Sequence, residues 1–312
     1  MKEKSPKITA ARYSIATATG LAGLKLATGL VTGSMAILSS AIDSLLDILM
    51  SGVNYLAIRQ AEQPADKNHP FGHGKFETVA TLVQSFVIAL SGLWIIFESV
   101  RRLTRGVELT LLGEGITVLL LSSVASLGIT RYLRKVAEAT DSSALRADSL
   151  HFSMDVYSNL ALVAGLIIIK ITHYPRLDPF LSILVALYIL FQAVVLVRHG
   201  LRDVLDEELP ETIRNEVTRL IESHRGDLLD YHNLRTRRAG SQKIMDFHLT
   251  VCKHLTVKEA HDIADHLEKR IQEEILGADV TIHVEPCQRE DCPGRESCPS
   301  EKARLEDDDR DD

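Results

Sequence analysis

Asp43, Asp47, His151 and Asp155 are the residues whose types and spacing carry the strongest chemical signal. The members of each pair are four positions apart, so on a helix each pair shares one face. Both pairs lie inside long apolar stretches, within SSAIDSLLDI (39–48) and ALRADSLHFSMDV (144–156). A carboxylate at the centre of a membrane helix costs about 2.5–3.5 kcal/mol on insertion, so three cost roughly 8–10 kcal/mol. Lys25 is the one internal basic residue that could offset this, which is too little. Three carboxylate oxygens and one imidazole nitrogen around a point suit tetrahedral Zn²⁺, with ligand distances of about 2.0–2.2 Å. Asn54 and Asn159 extend the polar faces and could orient these ligands. A pure proton relay is the rival reading of the same carboxylates.

Such residues need helices that cross a membrane. The chain has 312 residues, 25% of them charged, and a net charge of −7. Its mean hydropathy of +0.06 suggests a soluble protein, but that average conceals two unlike halves. Up to about Arg202 the sequence is a series of apolar runs separated by short polar loops. A span needs roughly 20 mostly apolar residues to cross about 30 Å of hydrocarbon. Six runs qualify, at about 10–32, 36–58, 77–101, 110–133, 148–171 and 178–199. Gly29 and Gly33 in the first permit close helix packing. No small-residue cleavage site follows the basic N-terminus, so the first run is a retained helix and not a signal peptide. Lys and Arg in the short loops place the N-terminus in the cytoplasm, with Arg101, Arg102 and Arg105 as a local exception. Six crossings return the C-terminal half to the same side.

That half is water-facing. Residues 211–224 have helical periodicity, segments near 231–238 and 242–251 alternate like strands, 256–275 form an amphipathic helix, and 279–285 another strand. The expected fold class is an α-helical membrane protein with six transmembrane helices, followed by a cytoplasmic α+β domain of order αββαβ. The expected domains are 1–209 (membrane), 210–287 (metal binding and dimerisation) and 288–312 (a Cys-containing acidic tail). A terminal run such as EDDDRDD is a solvating segment. No basic stripe appears, which argues against nucleic acid as a partner. A soluble unit this small gains stability from dimerisation or bound metal.

Two stretches already quoted, together with QPADKNHPFGHGKFE (63–77), give the chain a close resemblance to the cation diffusion facilitator family, near its bacterial zinc- and iron-efflux branch. The resemblance runs over nearly the whole chain to about Cys287. It implies that Asp43, Asp47, His151 and Asp155 form a transport site. It implies a second, loop-borne metal site at Asp66, His69 and His73, which by sequence alone are equally readable as a polar loop with incidental histidines. In the soluble domain it implies a binuclear zinc site using His232, His248, His261, His283 and Glu285. Glu285 departs from the family's Asp, and its longer side chain changes the geometry. The resemblance further implies a salt bridge between Lys75 and Asp206 that holds a dimer near its hinge; without it both read as surface charges. His224, His254 and His266 have no matching role and read as surface residues.

Cys252 reads as a buried, unreactive thiol. Cys287, Cys292 and Cys298 fall in a Pro/Gly/charge-rich stretch without C-x-x-C spacing, so a zinc ribbon is unsupported and a loose thiolate site stays open. A reducing cytoplasm argues against disulfides. The expected function is export of a divalent cation from the cytoplasm by Zn²⁺/H⁺ antiport. The protein would be a homodimer in the bacterial inner membrane, with metal ions, protons and the lipid bilayer as its partners. Fe²⁺, Cd²⁺, Mn²⁺ or Co²⁺ are alternative cargoes, because oxygen-rich sites discriminate poorly. A membrane-anchored metal sensor is the alternative of another class, but sensing needs no charges inside the bilayer. A metallohydrolase is weaker still, for want of a separate general base.

Overall fold

The structure, a computed structural model, describes residues 5–32, 35–105, 113–172, 177–223, 229–288 and 290. It divides into two compact units, Met1–Val204 and Leu205–Asp312.

The first unit is built from six long helices: α1 (Pro6–Thr32), α2 (Met35–Ala61), α3 (Lys75–Arg105), α4 (Gly113–Thr140), α5 (Ser143–Thr172) and α6 (Leu177–Val204). Its polarity is inverted relative to a water-soluble bundle. Trp94, Phe97, Phe86, Leu184 and Phe191 lie on the outside, each more than half exposed. Ser14, Ser51, Asn54, Gln84, Asp148 and His151 are buried. Lipid tails are as apolar as leucine, so apolar side chains face them at no cost while polar groups turn inward to find partners. Among the described residues, α1, α3, α4 and α6 are long and apolar enough to cross a membrane.

Several helices outrun the apolar segments that announced them. The fourth apolar run was expected to end near 133, yet α4 continues to Thr140. Its extra turns are charged, and Arg134 pairs with Glu138 across one turn at 3.0 Å. The helix stops at Asp141, whose φ of 50° is left-handed. The Ser142 N–H then bonds back to the Ala137 carbonyl at 3.1 Å, closing the turn. Ser142 starts α5 by accepting the Leu145 N–H on its hydroxyl at 3.3 Å.

The second unit contains α7 (Glu211–Ser223), β1 (Asp230–Ala239), β2 (Gln242–Val251), α8 (Val257–Glu274) and β3 (Ala278–Pro286). The sheet order is β1-β2-β3, with β1 antiparallel and β3 parallel to β2. Alternate β2 residues Met245, Phe247, Leu249 and Val251 are buried with Val217 and Ile221 of α7 and Leu267 and Ile271 of α8. This leaves the other face of the sheet open. Thr256 and Glu259 form a reciprocal capping box at the start of α8. Gly277 enters β3 with φ 74°, where a Cβ would sit 2.7 Å from the Ser241 carbonyl oxygen.

Cys287 requires a correction. It was placed with the loose tail, but its N–H donates to the Val251 carbonyl at 2.9 Å and its side chain is buried. That bond ties Cys287 to the end of the β2–β3 ladder, whose last pair is Val251 with Pro286, and the Pro/Gly-rich composition begins only after it. Cys252 is buried as expected. Cys292, Cys298 and His224 lie outside the described residues.

Candidate metal centres

In the first unit the helical spacing of the acidic and histidine residues becomes a cluster between α2 and α5. His151 Nε2 lies 3.0 Å from Asp47 Oδ1. One ligand atom each from Asp47, His151 and Asp155 falls within 4.8 Å of the others. The side chain of Asp43 lies outside the described residues, one helical turn before Asp47 on α2. The Lys25 ammonium donates to Ser44 Oγ at 2.8 Å. Asn54 Nδ2 donates to the Ala144 carbonyl at 3.1 Å, tying α2 to the start of α5.

The loop between α2 and α3 holds a second cluster. Asp66 Oδ1 accepts the backbone N–H of Asn68 at 2.8 Å and of His69 at 2.7 Å. Those bonds, first that from His69, hold the Asp66 carboxyl below its ordinary range, so it is ready as an anionic ligand. His69 Nδ1 and His73 Nε2 each lie 3.3 Å from its oxygens. His73 is buried, and its Nδ1 lies 3.2 Å from the Pro64 carbonyl. A neutral imidazole that donates Nδ1–H there would leave its Nε2 lone pair available to the cluster. Gly72, at φ 79°, supplies the bend that brings the two imidazoles to 4.5 Å between ring centroids.

On the open face of the sheet, strand register assembles a third cluster. His232 on β1 stands opposite His248 on β2, which stands opposite His283 on β3. The successive ring centroids are 5.1 and 4.9 Å apart. Glu285, two residues past His283 and on the same face, reaches all three. Its oxygens lie 2.7 Å from His248 Nδ1, 3.5 Å from His232 Nε2 and 3.7 Å from His283 Nε2. His261 is exposed near the start of α8, a helix that packs on the opposite face of the sheet, and it is not grouped with His232, His248 and Glu285. Asp206 pairs with Arg237 at 3.5 Å within the second unit, while Lys75 opens α3 of the first.

Sequence reasoning passed over two buried acids. Glu77 is fully buried, accepts from Ser142 Oγ at 2.7 Å and pairs with Lys7 at 3.1 Å. Asp148 is fully buried on α5. It stood at the expected edge of a span, where an acid reads as solvated. Its spacing of three from His151 and seven from Asp155 was the available signal, because those offsets share a helix face.

An apolar-surfaced helix bundle with an internal acid–imidazole cluster, joined to a small α+β domain bearing a histidine row, defines an integral membrane protein built to handle cations. The chain matches a cation efflux transmembrane domain over residues 11–205 and a cation efflux protein cytoplasmic domain over 209–287. It is 35% identical to the cation-efflux pump FieF of Klebsiella pneumoniae, over 89% of this chain and 92% of that one. It is also 35% identical to FieF of Salmonella typhimurium, with the same coverage. Among solved structures, the zinc form of CzrB is 38% identical over 27% of this chain and 98% of that one, with a TM-score of 0.26. The chain belongs to the cation efflux family. It is a membrane transporter and not an enzyme.

Proposed function

We propose that this transporter exports a divalent metal cation, foremost Zn²⁺, from the cytoplasm in exchange for protons. One observation carries the reading: Asp47, His151 and Asp155 converge between α2 and α5 inside a bundle whose outer surface is apolar. Anionic and imidazole groups in that position are costly unless they serve a pathway. Asp43 completes the ligand set as the fourth donor, with Asn159 orienting the ligands. With a neutral imidazole the set carries three negative charges, enough to draw in a divalent cation. Metal and protons compete for the same lone pairs, so occupancy by one expels the other. Movement of α2 and α5 against the remaining helices exposes the site alternately to the two sides.

The full arrangement has six crossings with both termini in the cytoplasm of a bacterial inner membrane. Its domains are 1–209, 210–287 and 288–312. Asp66, His69 and His73 hold an accessory ion. His232, His248, His283 and Glu285, with His261 as the remaining ligand, hold a binuclear zinc site on a cytoplasmic domain that pairs two protomers into a homodimer. Fe²⁺, Cd²⁺, Mn²⁺ and Co²⁺ are cargoes that the same oxygen-rich site accepts.

The test is transport in reconstituted vesicles. Protein-dependent Zn²⁺ uptake accompanied by opposing proton movement is expected, with both lost in Asp47→Ala and in Asp155→Ala. Zn²⁺ binding without flux would overturn the reading in favour of a sensor, and repeating the assay across metals assigns the cargo.

A further inference from the structure

Asp148 lies one helical turn before His151, on the α5 face that carries Asp155 a further turn along. No part of it is exposed. Ser14 from α1, Asn54 from α2 and Gln84 from α3 converge on its carboxyl, so four helices meet there. Gln84 Nε2 donates to Asp148 Oδ1 at 3.4 Å. None of these three neighbours carries a charge. Among the described residues, the ionisable group that acts on Asp148 is His151, on its own helix. On α4 and α6, Arg134, Glu138 and His199 line a separate cavity together with Arg146. Lys7 of α1 is taken up by Glu62 and Glu77, and Lys25 by Ser44.

Three buried oxygens around this point have no donor: Asp148 Oδ2, Asn54 Oδ1 and Gln84 Oε1. An ionised Asp148 would therefore be a fully buried acid that shares its one counter-charge, His151, with Asp47, and its Oδ2 would be left without a donor. Both conditions are costly in a buried site. A proton on Oδ2 removes both at once, because a carboxylic acid donates as well as accepts. A single O–H pointed at Asn54 or Gln84 answers two of the three unpaired oxygens. No hydrogen bond joins Asp148 to His151, since His151 Nδ1 is also without a partner. The acid is thus separate from the cluster on the far side of the imidazole, yet within one turn of it.

We propose that Asp148 is a proton-carrying carboxyl of the transport cycle, outside the set of metal ligands. It holds one proton on Oδ2 while the cluster is empty. It gives that proton up to water on the side from which the metal enters, as the cation binds Asp47, His151 and Asp155. The physical link is charge. A divalent ion one turn away favours the carboxylate, and the bound proton in turn disfavours the ion. This rests on the metal–proton antiport reading above.

The experiment uses the full-length protein in detergent, titrated with Zn²⁺ in weakly buffered solution containing a pH indicator. Asp148→Asn keeps the shape and the donor capacity of the protonated acid but has no proton to release. It is expected to bind Zn²⁺ at the wild-type stoichiometry and to release about one proton fewer per protomer. In the infrared, the metal-free wild type should show a carboxylic-acid C=O band that Zn²⁺ removes and that Asp148→Asn lacks. Wild-type proton release from Asp148→Asn at equal zinc stoichiometry overturns the proposal, as does survival of that band in the variant. Should the variant not fold, the wild-type spectrum decides: no loss of the acid band on adding Zn²⁺ overturns it. If the wild type itself releases no protons, the antiport reading fails and takes this proposal with it. That outcome is read in the wild type, whereas failure of the proposal alone is read in the variant.

Discussion

His248 and Glu285 are 37 residues apart in sequence and 2.7 Å apart in space, Nδ1 to Oε1. The parallel β2–β3 register produces this contact, and it makes Glu285 the carboxylate shared by three imidazoles. Replacing Glu285 by Ala removes the only acid of the row and leaves the histidines in place. Zn²⁺ affinity at the open face of the sheet should fall at least about tenfold, roughly 1.4 kcal/mol. Zinc titration of the full-length protein, followed calorimetrically, checks this. A wild-type isotherm would mean that the histidine row binds no metal through Glu285.

The Lys7–Glu77–Ser142 contact joins α1, α3 and the α4–α5 turn through a fully buried acid. Removing one partner of a buried ion pair costs about 3–5 kcal/mol, because it strands the other charge. Lys7 keeps its pair with Glu62, so Glu77→Ala should cost less than that, about 1–3 kcal/mol, chiefly from the buried hydrogen bond that Ser142 loses. Glu77→Gln should cost less, since an amide oxygen can still accept from Ser142. Thermal unfolding of the two variants in detergent should therefore rank wild type above Gln above Ala. Equal midpoints for all three would place the network outside the folding energetics.

Much of this architecture was legible in the sequence, because apolar run length and residue spacing are local properties. The αββαβ order and the i,i+4 spacing of Asp43 with Asp47 both follow from neighbours along the chain. The resemblance to the cation diffusion facilitators agrees with the family match over both units. What was not legible depends on partners distant in sequence. Nothing local says that His232, His248 and His283 fall in one row, since that needs the pairing of three strands. Nothing local says that Glu77 or Asp148 is buried, because their partners lie on other helices. Cys287, the last residue of the expected domain, was grouped with the tail cysteines for the opposite reason: its local composition suggests a tail, while a backbone bond to Val251 ties it to the end of the sheet.

The two histidines of the loop cluster are not equivalent. His73 is buried and its Nδ1 is engaged by the Pro64 carbonyl, whereas His69 is exposed. A ligand whose tautomer and orientation are already fixed loses less freedom on binding metal. His73→Ala should therefore weaken metal binding at this loop more than His69→Ala, by about tenfold or more. Comparing both variants in a background lacking Glu285 isolates the loop from the sheet site. Equal losses would show that the Pro64 anchor contributes nothing to metal affinity.

α6 packs closely on α3 at Gly200. A Cβ there would lie 2.5 Å from Leu82 Cδ2 and 2.7 Å from its Cγ. Contacts that short cannot persist, so Gly200→Ala must push the Leu82 side chain aside or separate the helices, at about 1–3 kcal/mol. Truncating the obstacle should relieve the strain: Gly200→Ala in a Leu82→Ala background should cost little beyond Leu82→Ala alone. The double-mutant cycle should then give a coupling of about 0.5–3 kcal/mol between positions that touch only when Gly200 carries a side chain. Thermal midpoints of the four proteins in detergent supply the cycle. Simple additivity would mean that α6 yields at Gly200 without meeting Leu82. Because α3 and α6 flank the helices carrying the metal cluster, the same four proteins should be compared for Zn²⁺ flux. Helices forced apart at Gly200 should lose transport in parallel with stability and recover it in the Leu82→Ala background.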